Sequence, residues 1–170
     1  MSVKETITFD GREVFLEWFE TSNYPKGMAI SQVAGFCFNE RGEVLVIKNK
    51  RGWGFPGGHP EKGEAAEEAL RREIWEEASV TIKKPRLVGC LDIRDPRNES
   101  IEGKHYAQLR YLAKVDKIAD FKKEFETSDR LFVPVSELSK YIDWLSGPTG
   151  SAQYETLLKL SRFFTLKDRS

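Results

Sequence analysis

The stretch GGHPEKGEAAEEALRREIWEEASV, residues 57–80, decides how the chain is read. Its second part, Glu64 to Ala78, holds no Gly or Pro and is rich in Ala, Glu and Arg. Ala66, Leu70, Ile74 and Ala78 recur every four residues, which predicts an amphipathic helix over 64–78. On such a helix Glu73, Glu76 and Glu77 stand at i, i+3 and i+4, so their carboxylates project from one face. Like charges so spaced destabilise an isolated helix by roughly 0.2–0.5 kcal/mol per pair. Glu67 and Glu68 have Arg71 and Arg72 at i+4 to compensate them, but Val80 and Thr81 bring no cation to the three later acids. A divalent cation would relieve the repulsion, since clustered carboxylates suit hard Mg²⁺ or Mn²⁺. An acidic cluster alone is more often a solvated helix face; its joint spacing with the glycine-rich loop changes the odds.

Working outward, Arg51–Gly63 holds five Gly and two Pro and is expected to be loop. Upstream, Glu5–Phe9, Val14–Phe19 and Gln32–Phe38 read as strands. Val44–Lys48 follows the turn signal Asn39-Glu-Arg-Gly42 and is expected to form a hairpin with its predecessor. Downstream, strands are predicted at Arg86–Ile93 and His105–Val115, around the polar loop Arg94–Lys104. In the second of these Ala107, Leu109, Tyr111 and Ala113 share one face, and Gln108 and Arg110 the other. A short strand, Arg130–Val135, leads to helical segments near Ser136–Leu145 and Ala152–Phe164, separated by Gly147-Pro148.

No repeat or long linker interrupts the chain, so one mixed α/β domain is expected over 1–170. It carries an N-terminal β extension, 1–24, and C-terminal helices, 136–170. The extension reads as a hairpin, Thr6–Phe9 and Val14–Phe19 around Asp10-Gly11. An isolated hairpin is marginal in water, so it is expected to pack on the sheet or on a second copy, which suggests a homodimer.

At 170 residues the chain can close one substantial core, and its 39% hydrophobic content excludes general disorder. A net charge of zero gives no footprint of nucleic-acid or membrane binding. Charge is unevenly spread: seven Glu against three cations from Glu61 to Glu77, then eight Lys or Arg against four acids from Lys83 to Lys114. That order suits a cation and a phosphate sharing a cleft, as it would two solvated faces. Met1 to Asp10 shows no secretory signal, and no apolar run approaches a membrane span. Cys37 and Cys90 fall in strand-like runs without Cys-x-x-Cys spacing, which favours buried free thiols in a cytoplasmic protein.

The quoted stretch resembles the Nudix box of MutT-like hydrolases, Gly-x5-Glu-x7-Arg-Glu-U-x-Glu-Glu-x-Gly-U, where U is a bulky aliphatic residue. Gly58, Glu64, Arg72, Glu73, Ile74, Glu76, Glu77 and Val80 occupy eight of its nine defined positions. The preceding Trp53-Gly-Phe-Pro-Gly57 resembles the family's approach to the box, and looser likeness runs over about 31–138. Ser79 stands where the family has Gly; a left-handed Ser there would cost roughly 1–2 kcal/mol. The resemblance implies an α/β/α sandwich with a mixed β-sheet, and Mg²⁺- or Mn²⁺-dependent hydrolysis of a nucleoside diphosphate linked to a moiety X. It implies that Glu73, Glu76 and Glu77, with a backbone carbonyl near Gly57, hold metal. Arg72 would orient the glutamates, and Glu64 would support the loop. A carboxylate would serve as general base.

Glu126, in Phe125-Glu-Thr-Ser-Asp-Arg, resembles the family's late-loop acid that binds metal or accepts the water's proton; it reads equally well as an ordinary loop acid. Lys48 and Arg110 are candidates to reach phosphate, and Trp53 and Phe55 to stack a base, although one of these rings is expected in the core. For the substrate, a small-molecule nucleotide, the Trp-Gly-Phe-Pro-Gly-Gly approach resembles triphosphate pyrophosphohydrolases. Pro96, sixteen residues past Val80, instead resembles the ADP-ribose branch, with nucleotide sugars beside it. A module that binds nucleotide without cutting it is disfavoured, because three repelling Glu would then have no purpose.

Overall fold

The computed structural model describes residues 2–167, so Met1 and residues 168–170 of the expected domain lie outside the described residues. In chain order the elements are β1 (Ser2–Phe9), β2 (Arg12–Glu20), β3 (Ala29–Phe38), β4 (Glu43–Asn49), β5 (Gly52–Gly54), β6 (Gly57–Gly58), α1 (Ala66–Ala78), β7 (Val80–Arg94), β8 (His105–Ile118) and β9 (Asp129–Pro134). Two 3₁₀ turns, Val135–Lys140 and Asp143–Ser146, then precede α2 (Pro148–Lys167). The strands form one mixed sheet in the order β1-β2-β7-β8-β3-β4-β5, with β6 on β3 and β9 on β4; β3 and β8 run parallel.

Side-chain alternation sends the two sheet faces to different cores. Ala69, Leu70, Ile74 and Ala78 of α1 pack with Val33, Leu109, Tyr111 and Ala113, the face of β8 expected to be apolar. The opposite face presents Phe36, Phe38 and Leu112 to Leu138, Ile142, Leu145 and Leu157. With α1 on one side and α2 on the other, the result is the α/β/α sandwich.

Several elements differ from the sequence reading. β3 and β4 meet only at Phe38 and Val44, because the glycines of β6 take the next stretch of the β3 edge. The segment 51–63 is therefore not all loop: Gly57 lies so flat on β3 that a Cβ there would sit 2.1 Å from the Val33 carbonyl oxygen. α1 starts at Ala66 rather than Glu64, with Glu68 reaching back to the Ala65 N–H at 3.4 Å. β7 begins at Val80 and passes through an irregularity between Lys83 and Arg86, where Lys84 has φ 51° and Pro85 interrupts the alternation. The expected helix at 136–145 is two 3₁₀ turns, while α2 starts earlier, at a proline that suits a first helical turn.

The N-terminal hairpin turns at Asp10 and Gly11, both left-handed, and β2 pairs with β7 from Phe15–Arg94 to Glu20–Gly89. α2 clamps it in place: Thr149 donates to Glu5 from its backbone N–H (3.1 Å) and its hydroxyl (2.6 Å). Lys159 pairs with Glu20 at 2.6 Å. The extension is thus two further strands of the one sheet, tied to α2 of the same chain. Among the described residues no helix is long and apolar enough to cross a membrane.

Candidate active site

α1 ends in a left-handed turn at Ser79 (φ 55°, ψ 41°), the conformation for which Gly is favoured, with the Ser79 N–H bonded to the Trp75 carbonyl at 2.9 Å. The turn closes the helix just beyond its acidic face. Glu77 on that face accepts the Gly57 N–H at 2.8 Å. Burial pushes its carboxyl up to about 7, opposed by that hydrogen bond and reinforced by the charges of Glu73, Glu126 and Glu76. Glu73 is also raised, chiefly by burial, with Arg72 opposing. Its carboxylate fills the space beside Gly58, where an added Cβ would lie 2.4 Å from the carboxyl carbon.

Arg72 ties the cluster together. It holds Glu64 through two bonds (Nε at 2.8 Å, Nη2 at 2.9 Å), and its Nη1 reaches Glu73 at 2.8 Å and Glu76 at 3.3 Å. Bonding to Arg72, and then to the Glu61 N–H, holds the Glu64 carboxyl down to about 2. Against the sequence reading, the later acids Glu73 and Glu76 do find a cation, Arg72, which lies four residues before Glu76. Arg72 turns to Glu64, Glu73 and Glu76 rather than to Glu68, and Arg71 donates to the Ile82 carbonyl at 2.7 Å.

These acids open on a cleft of about 1290 Å³, which Glu126, Trp53, Phe55, Gly57 and Arg110 also line. Phe55 is 9% exposed and edge-packed on Phe36 and Trp144, so it is largely core; Trp53 is half-buried against Tyr141. Lys48 does not line the cleft. It pairs with Trp53 across the strands, and its ammonium sits 5.9 Å from the centre of that ring rather than on the cleft wall. Nor does the basic stretch 83–114 form a wall of the cleft: of its cations only Arg110 reaches it.

Sequence reasoning missed the far wall, built by the hairpin. Arg12 holds both oxygens of Asp95, itself 1% exposed, at 2.9 and 3.0 Å; Phe9 and Tyr106 lie beside them on the cleft. It also missed Gln32 and Gln153. Gln108, alternating with Arg110, was the one visible signal. His59, whose Nδ1 lies 2.8 Å from the Ser31 carbonyl oxygen, lines the cleft as well.

A divalent cation suits the chemistry of the acids. Glu73, Glu76, Glu77 and Glu126 are all hard oxygen donors, and half-buried Glu77 pairs with no cation among the described residues. As they lie, no three such side chains among the described residues close around one point at metal distance.

The NUDIX domain profile matches residues 28–152. The chain is 34% identical over 84 residues to the putative 8-oxo-dGTP diphosphatase YtkD of Bacillus subtilis, a match spanning 49% of this chain and 49% of that protein. Its fold is similar to that of the Bacillus subtilis pyrophosphohydrolase BsRppH, with TM-score 0.59 and 20% identity, covering 90% of this chain and 92% of that one. It is similar too to the NUDIX domain of Shewanella oneidensis NrtR bound to ADP-ribose, with TM-score 0.59 and 16% identity over 81% and 93% of the chains. With its box acids gathered at one cleft and its profile match spanning most of the sandwich, the chain belongs to the NUDIX domain family.

Proposed function

We propose that the protein is a metal-dependent pyrophosphohydrolase that cuts a phosphoanhydride bond in a nucleoside diphosphate linked to a moiety X, with nucleoside triphosphates as the favoured class. The observation that carries this reading is the half-buried, charge-crowded Glu77 carboxyl on the cleft, backed by Glu73 and Glu76 and held by the Gly57 N–H. Similarity to YtkD over half its length supports a triphosphate. The likeness to NrtR, crystallised with ADP-ribose, keeps ADP-ribose and nucleotide sugars as the second reading.

Glu73, Glu76 and Glu77, with the Gly57 carbonyl, would hold Mg²⁺ or Mn²⁺. Such an ion neutralises the diphosphate and acidifies the attacking water. Arg72 fixes the carboxylates of Glu73 and Glu76, while Glu64 fixes Arg72 from behind. Glu126, exposed on the cleft and close enough for its charge to act on Glu77, would accept the proton of the attacking water. Trp53 offers a ring for the base, and Arg110 a charge for phosphate. The two buried free thiols, Cys37 and Cys90, suit a reducing cytoplasmic setting. Phe9 and Phe15 of the hairpin are exposed, which keeps a homodimer through this face in the proposal, and light scattering would show whether copies pair.

The test is a panel of nucleoside triphosphates, dinucleoside polyphosphates, ADP-ribose and sugar nucleotides, incubated with Mg²⁺ or Mn²⁺ and with or without chelator. Chelator-sensitive cleavage at an anhydride bond is the expected result. No cleavage of any member, with metal present, would overturn the assignment.

A further inference from the structure

Arg110 lines the cleft yet is only 5% exposed. Its Nε donates to Gln153 Oε1 at 3.0 Å, its Nη1 to Gln32 Oε1 at 3.1 Å and its Nη2 to Gln108 Oε1 at 3.2 Å. Its remaining protein partner is the Leu109 carbonyl, at 3.3 Å. No carboxylate stands among these partners, although a buried charge is ordinarily paired.

The three amides carry a second piece of information. A guanidinium only donates, so each carboxamide must turn its oxygen to Arg110 and its NH₂ group away. Gln32, Gln108 and Gln153 all line the same cleft. The patch therefore sets a nearly buried positive charge at the cleft wall, beside three carboxamides whose NH₂ groups turn away from it. Its chemical complement is a negatively charged group that only accepts, such as phosphate.

Sheet register places this patch away from the acid cluster. Ala34 of β3 pairs with Gly57 on one side and with Arg110 on the other. Two strand spacings, about 10 Å of backbone, thus separate Arg110 from the glycine that holds Glu77.

We propose that Arg110, with the amide groups of Gln32, Gln108 and Gln153, is a second anion subsite that takes a substrate phosphate outside the scissile pair. It selects substrates with three or more phosphates over ADP-ribose and nucleotide sugars, whose two phosphates are both spent at the scissile bond. The substrate preference rests on the hydrolase reading above; the anion site itself does not.

The test uses Gln108→Glu, which gives Arg110 a carboxylate partner and so protects folding while neutralising the patch. Inorganic tripolyphosphate is titrated calorimetrically into the full-length protein in chelator. Wild type and Glu77→Gln should bind it, and Gln108→Glu should bind about 10- to 100-fold more weakly, the range for lost charge-assisted hydrogen bonds. No binding to wild type, or equal binding to Gln108→Glu, would overturn the subsite. In kinetics, the ratio of kcat/KM for a nucleoside triphosphate to that for ADP-ribose should fall about 10-fold or more in Gln108→Glu. An unchanged ratio would overturn the selectivity. Tripolyphosphate binding that depends on Gln108, in a protein that cleaves nothing, would sink the hydrolase reading and leave the anion site standing.

Discussion

The Glu77 carboxylate meets the backbone N–H of Gly57 at 2.8 Å, joining the last turn of α1 to the two-residue strand β6. That hydrogen bond opposes its burial and the charges of three other carboxylates, and the Glu77 carboxyl stands at about 7 rather than near 4.5.

In the metal-free protein this arrangement costs stability with a defined pH signature. Below about 4.5 both folded and unfolded states are protonated and no difference arises. Between 4.5 and about 7 the unfolded chain releases the proton and the folded one keeps it, so stability falls as pH rises; above 7 the deficit is constant. Glu77→Gln should therefore stabilise the metal-free protein by about 1–3 kcal/mol at pH 8 and by nothing at pH 4. Denaturant titrations in chelator at the two pH values check this. Equal stability at pH 8 would contradict it.

Gly58→Ala should reduce turnover about 10-fold or more, because its methyl group would take the space of the Glu73 carboxylate and pull it from Arg72. The protein should still fold, since a side-chain end can move. Steady-state kinetics beside a circular dichroism melt separates the two effects; unimpaired turnover would count against Glu73 as a cleft ligand.

Glu64→Gln should loosen Arg72, and through it Glu73 and Glu76, lowering kcat about 10- to 100-fold while leaving the carboxylates of α1 intact. The Glu64 carboxyl is held down to about 2, so its contribution is present above its ordinary value near 4.5 and lost as pH falls through about 2. Thermal melts of variant and wild type should differ at pH 6 and draw together towards pH 2.

Much of this was legible in the sequence because it is local. Four-residue apolar spacing made α1, and three acids at i, i+3 and i+4 had to share its face. The left-handed Ser79 follows from where the helix ends. What escaped was set by pairing between distant segments. β6 exists because side-chain-free glycines can lie on β3, which no periodicity announces. The far wall of the cleft depends on β2 joining β7, which brings Arg12 to Asp95 across the fold. Lys48 missed the cleft because cross-strand pairing set its ammonium over the Trp53 ring, and it is Trp53 that lines the opening. Gln153 entered from α2, a helix whose own sequence gives no hint of a guanidinium partner.

Ser79→Gly should raise stability by about 1 kcal/mol, because it removes the Cβ penalty at φ 55° while the backbone bonds of Ser79 to Trp75 and Ala119 remain. Chemical denaturation measures it. A loss of stability would mean that the buried hydroxyl outweighs the strain.

The most direct test joins metal binding to turnover at Glu77. Mn²⁺ binding is measured by electron paramagnetic resonance, and kcat on the best substrate of the panel at saturating Mn²⁺, for wild type and Glu77→Gln. Clearly weaker Mn²⁺ binding and a kcat lowered by several orders of magnitude are expected, since each 1.36 kcal/mol of lost stabilisation is about tenfold in rate. Glu77→Gln that binds Mn²⁺ as wild type does and turns over at a near-native rate would contradict the assignment of α1 as the metal centre, and with it the proposed activity.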